Sequence, residues 1–172
     1  MTEQSNNGAF YSTKTYGHNI GLSAVFRQPH ADSHCRFLHG YSLQFKFTFG
    51  CSELDNKNWA VDFGGLKPLK AWLEDTFDHK TVIDVNDPHL NDFRILESKD
   101  LCSVVVLDGV GAEMFAYHAW KFADELIKET LKSSKIIAMV GASVPKENEA
   151  VAKMRLKPSI IVMKYLLEFG YK

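Results

Sequence analysis

A chain of 172 residues with 20 basic and 21 acidic side chains, a formal charge of -1, has no surplus of positive charge to draw it to nucleic acid or to an anionic membrane. Its length is enough for one domain that buries roughly two thirds of its unfolded surface without covalent staples. Three cysteines, Cys35, Cys51 and Cys102, are odd in number and far apart, which suits reduced thiols better than a disulfide framework. The polar start M-T-E-Q-S-N-N-G lacks the basic and apolar blocks of a secretory signal, and no apolar run reaches the roughly 20 residues of a membrane span, so a cytoplasmic protein is expected.

Residues 1–9 read as a fraying end. From Phe10 to Arg27 aromatic, β-branched and polar residues mix without a helical stripe, which predicts an extended strand with irregularities at Gly17 and Gly21. Pro29 breaks it, and a loop follows to Arg36. From Leu38 to Cys51 the pattern alternates: Leu43, Phe45, Phe47 and Phe49 share one face of a strand, and Ser42, Gln44, Lys46 and Thr48 the other. After the turn C-S-E-L-D-N-K-N, Asp62 is placed to cap a helix whose apolar positions are Leu66, Leu69, Leu73 and Phe77.

Asp84, Asn86, Asp87, Pro88 and Asn91 signal turns within 80–110, with Ser103 to Leu107 as a short buried strand. A second helix is predicted over 112–131, its inward stripe formed by Phe115, Ala119, Phe122 and Leu126. Strands over 136–144 and 150–156 complete a domain spanning 10–157, and 158–172 is an apolar extension that needs a surface to cover it. This order predicts an α+β domain with the helices on one face of an antiparallel sheet.

Reactive side chains concentrate between Phe26 and Tyr41, where His30, Asp32, His34, Cys35, Arg36 and His39 lie close in sequence. Thiolate is the reactive form of cysteine and is favoured by neighbouring cations such as His34 or Arg36, which makes Cys35 the leading candidate for a base or nucleophile. The competing reading is a small buried hydrophobe, the usual role of a free cysteine. His30 and His34 can join His39 in a three-histidine zinc site, although solvated loop histidines account for the same residues.

Asp78 and His79 form a second candidate, since a carboxylate that orients an imidazole makes it an effective proton carrier near neutral pH. A histidine meeting the last carbonyls of a helix is the alternative. The G-V-G-A-E-M run at 109–114 has the outline of a dinucleotide-binding turn. It has Met114 at the third glycine position, and the neighbouring elements are not expected to alternate as in a parallel βαβ fold.

Taken together, S-A-V-F at 23–26, C-R-F-L-H-G-Y at 35–41, V-D-F-G-G-L-K at 61–67, D-H at 78–79 and G-A-E-M-F-A at 111–116 resemble the family of 6-pyruvoyl- and 6-carboxy-tetrahydropterin synthases over residues 10–156. The resemblance implies a T-fold: a four-stranded antiparallel sheet with two helices on one face, whose subunits join into a barrel and stack as a homohexamer. It implies a lyase that eliminates triphosphate from the pterin substrate 7,8-dihydroneopterin triphosphate, in pterin or queuosine (7-deazaguanine) biosynthesis, with zinc as cofactor.

Carried onto this chain, Cys35 is the base at the side-chain carbon, Asp78 and His79 are the proton relay, and Glu113 is a pterin-pocket residue. Of the three zinc histidines only His39 is retained, because Phe26 and Tyr41 stand at the other two positions. Val144 aligns with the glutamate that grips the pterin ring, with Glu147 and Glu149 near it. A scaffold that has lost two metal ligands also fits a non-catalytic pterin-binding or assembly protein, or a metal-free enzyme on another pterin or purine.

Overall fold

Alternation along residues 43–49 produces the strand on which the rest is built. The structure, a computed structural model, describes residues 10–129, 137–143, 156–157 and 160–161. Leu43, Phe45, Phe47 and Phe49 are at most 1% exposed, while Lys46 on the other face is open to water, as a side-chain period of two requires. This strand, β4 (Gln44–Cys51), lies between antiparallel neighbours β1 (Phe10–Tyr16) and β7 (Ile137–Ser143).

The extended segment expected over 10–27 is two strands in two sheets. A 3-10 turn at His18–Ile20 and a positive φ of 77° at Gly21 end the first, and the chain resumes as β2 (Ser23–Phe26). The segment expected over 38–51 divides at the same level. Its first part, β3 (His39–Ser42), pairs antiparallel with β2, and the Leu43 N–H donates to the Leu22 carbonyl at 2.7 Å where the pair passes from one sheet to the other. Alternation continues through such a bend unchanged, so only the glycines announce it.

Residues 80–110 form a strand, a helix and a strand: β5 (Lys80–Asp84), α2 (Leu90–Ser98) and β6 (Val104–Leu107). The turn chemistry read from the sequence holds before α2, where Asp84 Oδ1 accepts from the Asn86 N–H and Asp87 Oδ1 from the His89 N–H, both at 2.8 Å. Asn91 lies in the helix instead. Because a helical crossover returns the chain to the same end of a sheet, β2, β5 and β6 run parallel in the order β3-β2-β5-β6. Among the described residues the expected single antiparallel sheet of four strands is therefore a three-stranded antiparallel sheet beside a four-stranded mixed one. Phe93 of α2 seals Ile83 and Val104 in a small second cluster.

Among the described residues three α-helices form rather than two, although only α1 (Lys67–Phe77) and α3 (Ala112–Glu129) cover the inner face of β4. Asp62 is a cap as expected, but of a 3-10 turn, Phe63–Leu66, whose Gly64 N–H it receives at 2.8 Å. α1 follows directly, with Pro68 in its first turn. Leu66, Leu69, Leu73 and Phe77 are fully buried, and so are Phe115, Ala116, Ala119 and Ala123 of α3. Phe122, expected in the inward stripe, is half-buried and stacks on Trp72 with ring centroids 4.9 Å apart.

The fraying end at 1–9, most of the strand at 150–156, most of the extension at 158–172, and Val144, Glu147 and Glu149 lie outside the described residues. Of the last segments, β8 (Leu156–Lys157) and β9 (Ile160–Ile161) pair antiparallel.

Candidate functional site

The carboxyl ends of parallel strands gather loops and helix N-termini, which is why ligands collect there in open α/β sheets. In this chain the carboxyl end of β2 leads into the loop that holds Cys35, and the carboxyl end of β6 leads through Gly109 and Gly111 into α3. Both glycines have positive φ, 91° and 108°. A Cβ on Gly111 would stand 2.8 Å from the Gln28 amide nitrogen, so the loop after β2 and the turn before α3 touch. Parallel strands do alternate with helices here, contrary to the expectation for the G-V-G-A-E-M run.

Cys35 sits in a 3-10 turn, His34–Arg36, capped by Ser33, whose hydroxyl accepts the Cys35 N–H. The Cys35 carbonyl in turn receives the Gln28 N–H at 2.9 Å, which fastens the turn to the end of β2. Its thiol is half-buried, whereas Cys51 is buried in β4, where burial pushes its thiol up from the ordinary range. The Arg36 guanidinium lies over the Phe37 ring at 4.9 Å.

His39 begins β3, directly opposite Phe26 of β2. Its ring centroid is 4.7 Å from that of Phe26 and 5.2 Å from that of Tyr41, while Phe26 and Tyr41 are 5.7 Å apart. Phe115 of α3 closes on Phe26 at 5.0 Å. The three positions that the sequence reading assigned to zinc therefore meet in space, and two carry no usable donor. A phenyl ring offers no ligand atom and a neutral phenol is a poor one for zinc. His30 and His34 are exposed and do not supply the deficit: among the described residues no three His, Cys, Asp or Glu side chains are grouped to hold a metal ion. These residues do not fit a zinc centre.

Asp78 and His79 follow α1, at the opposite end of the mixed sheet. The His79 N–H donates to the Ser23 carbonyl at 2.8 Å, at the start of β2. Nδ1–H of His79 donates to Asp78 Oδ1 at 2.7 Å, which leaves Nε2 for proton exchange. The imidazole is 86% exposed, and its backbone φ of 55° is left-handed. Glu113 is exposed in the first turn of α3, on the Cys35 side. The structure thus brings Cys35, His39 and Glu113 to one end of the sheet and puts Asp78 and His79 at the other.

Sequence reasoning missed an ion pair at the first of these ends. Arg27 Nε lies 3.2 Å from Asp87 Oδ2, whose side chain is wholly buried, so the end of β2 is locked to the loop before α2. No local pattern links two residues so far apart in the chain. A cleft of about 450 Å³ lies elsewhere, lined among others by Phe10, Tyr11, Leu54, Trp59, Val61 and Phe63 at the start of β1, and none of the predicted site residues lines it.

A sequence profile of the family described as 6-pyruvoyl tetrahydropterin synthase matches residues 18–149. The chain is 30% identical over 79 residues to the 6-carboxy-5,6,7,8-tetrahydropterin synthase of Aquifex aeolicus (strain VF5), a match that covers 46% of this chain and 49% of that one. It therefore spans about half the length of the curated relative it matches. Among solved structures, an uncharacterized protein from Wolinella succinogenes superimposes with a TM-score of 0.66 at 18% identity, over 86% of this chain and 97% of its own. The 6-pyruvoyl tetrahydropterin synthase of Plasmodium vivax gives 0.61 at 12% identity, over 87% and 99%. At such identities these structural likenesses concern the fold alone.

Proposed function

This chain belongs to the 6-pyruvoyl tetrahydropterin synthase family, and from that premise we propose that it is a carbon–oxygen or carbon–carbon lyase acting on 7,8-dihydroneopterin triphosphate in pterin or queuosine biosynthesis. The observation that carries this reading is the Asp78–His79 pair, hydrogen-bonded at 2.7 Å with the imidazole presented to solvent. In it the carboxylate fixes the tautomer and the orientation of the ring, and Nε2 gives and takes protons. The Cys35 thiolate removes the proton from the substrate's side-chain carbon, and loss of that proton expels triphosphate. Glu113 faces the pterin. Residues 26, 39 and 41 do not make a zinc donor set, so these protein groups carry the proton transfers themselves.

Cys35 and His79 are attached to opposite ends of β2, so in this reading one subunit supplies the thiol and a neighbour the imidazole. A homo-oligomer, a hexamer by family likeness, is the assembly that brings them together. Support for self-association comes from β1, at the edge of its sheet among the described strands, whose exposed Phe10 and Tyr11 line the cleft. Turnover of dihydroneopterin triphosphate by the purified chain is the test. Cys35→Ala and His79→Ala are each expected to lower it on the order of a hundredfold or more; full activity in both variants would remove the assignment.

The rings at 26 and 41 favour a second reading, a pterin-binding or assembly protein without turnover, or a metal-free enzyme on another pterin or purine. Tight pterin binding with no product would select the first of these.

A further inference from the structure

We propose that the meeting point of Phe26, His39 and Tyr41 is a metal-free aromatic clamp that holds His39 as the Nδ1–H tautomer and presents its Nε2 as an acceptor. The inference rests on the family reading and goes beyond the steps given above, which use the Nε2 of His79: here the Nε2 of His39 is the atom that would meet a substrate oxygen at the family's metal position.

The register of β2 and β3 pairs Phe26 with His39 and Ala24 with Tyr41, which puts residues 26, 39 and 41 on one face of the sheet. Their rings are in mutual contact, two of the three pairs tilted and one edge-on. Phe26 is 4% exposed and is backed edge-on by Phe115, so it cannot swing aside to admit a hydrated ion. Zinc requires three or four nitrogen, sulfur or oxygen donors at about 2.0 to 2.3 Å, and this face offers one imidazole.

That imidazole is already oriented. His39 Nδ1 lies 2.7 Å from the Phe37 carbonyl oxygen. A carbonyl only accepts, so Nδ1 carries the hydrogen and the lone pair of the neutral ring is on Nε2. In a metal site the same arrangement would serve to aim Nε2 at the ion. Here the imidazole is held in that way, while a phenyl ring and a phenol stand at the two companion positions. The three positions therefore converge without the donors, and two substitutions would supply a three-histidine set at the same place.

The test uses the full chain incubated with zinc and freed of unbound metal by gel filtration, with metal counted by mass spectrometry. Wild type is expected to retain below about 0.1 zinc per chain, and F26H/Y41H about one, with cobalt giving the absorption of a tetrahedral site. Nitrogen-15 NMR of wild type is expected to show His39 as the Nδ1–H tautomer. About one zinc per wild-type chain, lost in His39→Ala, would overturn the proposal. So would an F26H/Y41H variant with native circular dichroism that binds no zinc, or an Nε2–H tautomer at His39. Should F26H/Y41H fail to fold, the wild-type metal count and tautomer decide the matter. Neither measurement needs a pterin, so absence of turnover would end the functional reading and leave this one standing.

Discussion

Cys35 and His79 are tethered to opposite ends of one strand: the carbonyl of Cys35 receives the Gln28 N–H at 2.9 Å, and the N–H of His79 reaches the Ser23 carbonyl at 2.8 Å. The two anchor points, Ser23 at the start of β2 and Gln28 two residues past its end, lie roughly 16 Å apart if the chain between them stays extended. No rotamer change closes that gap within one subunit. Co-expression of Cys35→Ala with His79→Ala chains is therefore expected to restore activity that neither has alone, to about a quarter of wild type for random pairing across identical interfaces. Mixed oligomers as inactive as their parents would show that the two groups do not share a site.

His79 occupies the position after the C-terminal cap of α1 with a φ of 55°, where a residue with a Cβ is strained and glycine is not. His79→Gly should raise the unfolding free energy by about 1 kcal/mol while removing the proton relay. Chemical denaturation read beside turnover checks both halves. Lower stability in the glycine variant would mean that the imidazole is held by packing and not for its chemistry.

Removing one partner of a buried ion pair leaves the other charge without compensation. With Asp87 wholly buried against Arg27, Arg27→Ala is expected to cost about 3 kcal/mol, read as an earlier urea midpoint at unchanged m-value. The His89 N–H on the other carboxylate oxygen is too weak a substitute to hold the loss under about 1 kcal/mol.

The Glu97 carboxylate is held below the usual range, first by the Val104 N–H it accepts at 2.7 Å and then by the hydrogen bond from Arg94. Since its folded value is the lower one, the stabilisation is present above the unfolded value of about 4.3 and fades as pH falls through the folded value. Thermal melts between pH 6 and about 3 should thus show a decline that Glu97→Gln makes shallower. An identical slope in the variant would assign the acid sensitivity to other carboxylates.

Where a signal is periodic and local, the sequence reading and the structure agree. The four apolar positions of 43–49, the stripe of α1 and the span of α3 each follow from spacing alone, and the residues so marked form the core. α2 was not legible because nine residues with a single buried side chain, Phe93, carry too little periodicity to stand out among turn signals. The parallel direction of β5 and β6 depends on that helix and was lost with it.

The candidate site divides in the same way. Its residue types were visible at once: a thiol in a histidine-rich loop, an acid beside an imidazole, a solitary family histidine. Their arrangement was not, since Cys35 and His79 look equally eligible for one pocket until β2 is seen to hold them apart.

By itself, then, the sequence determined the side chains available for chemistry, the faces of the main strands and helices, and the family. Spacing along a strand or helix fixes those properties within a few residues. Only the tertiary structure decided which groups meet. The convergence of Phe26, His39 and Tyr41, the Arg27–Asp87 lock and the separation of thiol from imidazole all depend on strand pairing between distant segments, which local spacing does not encode.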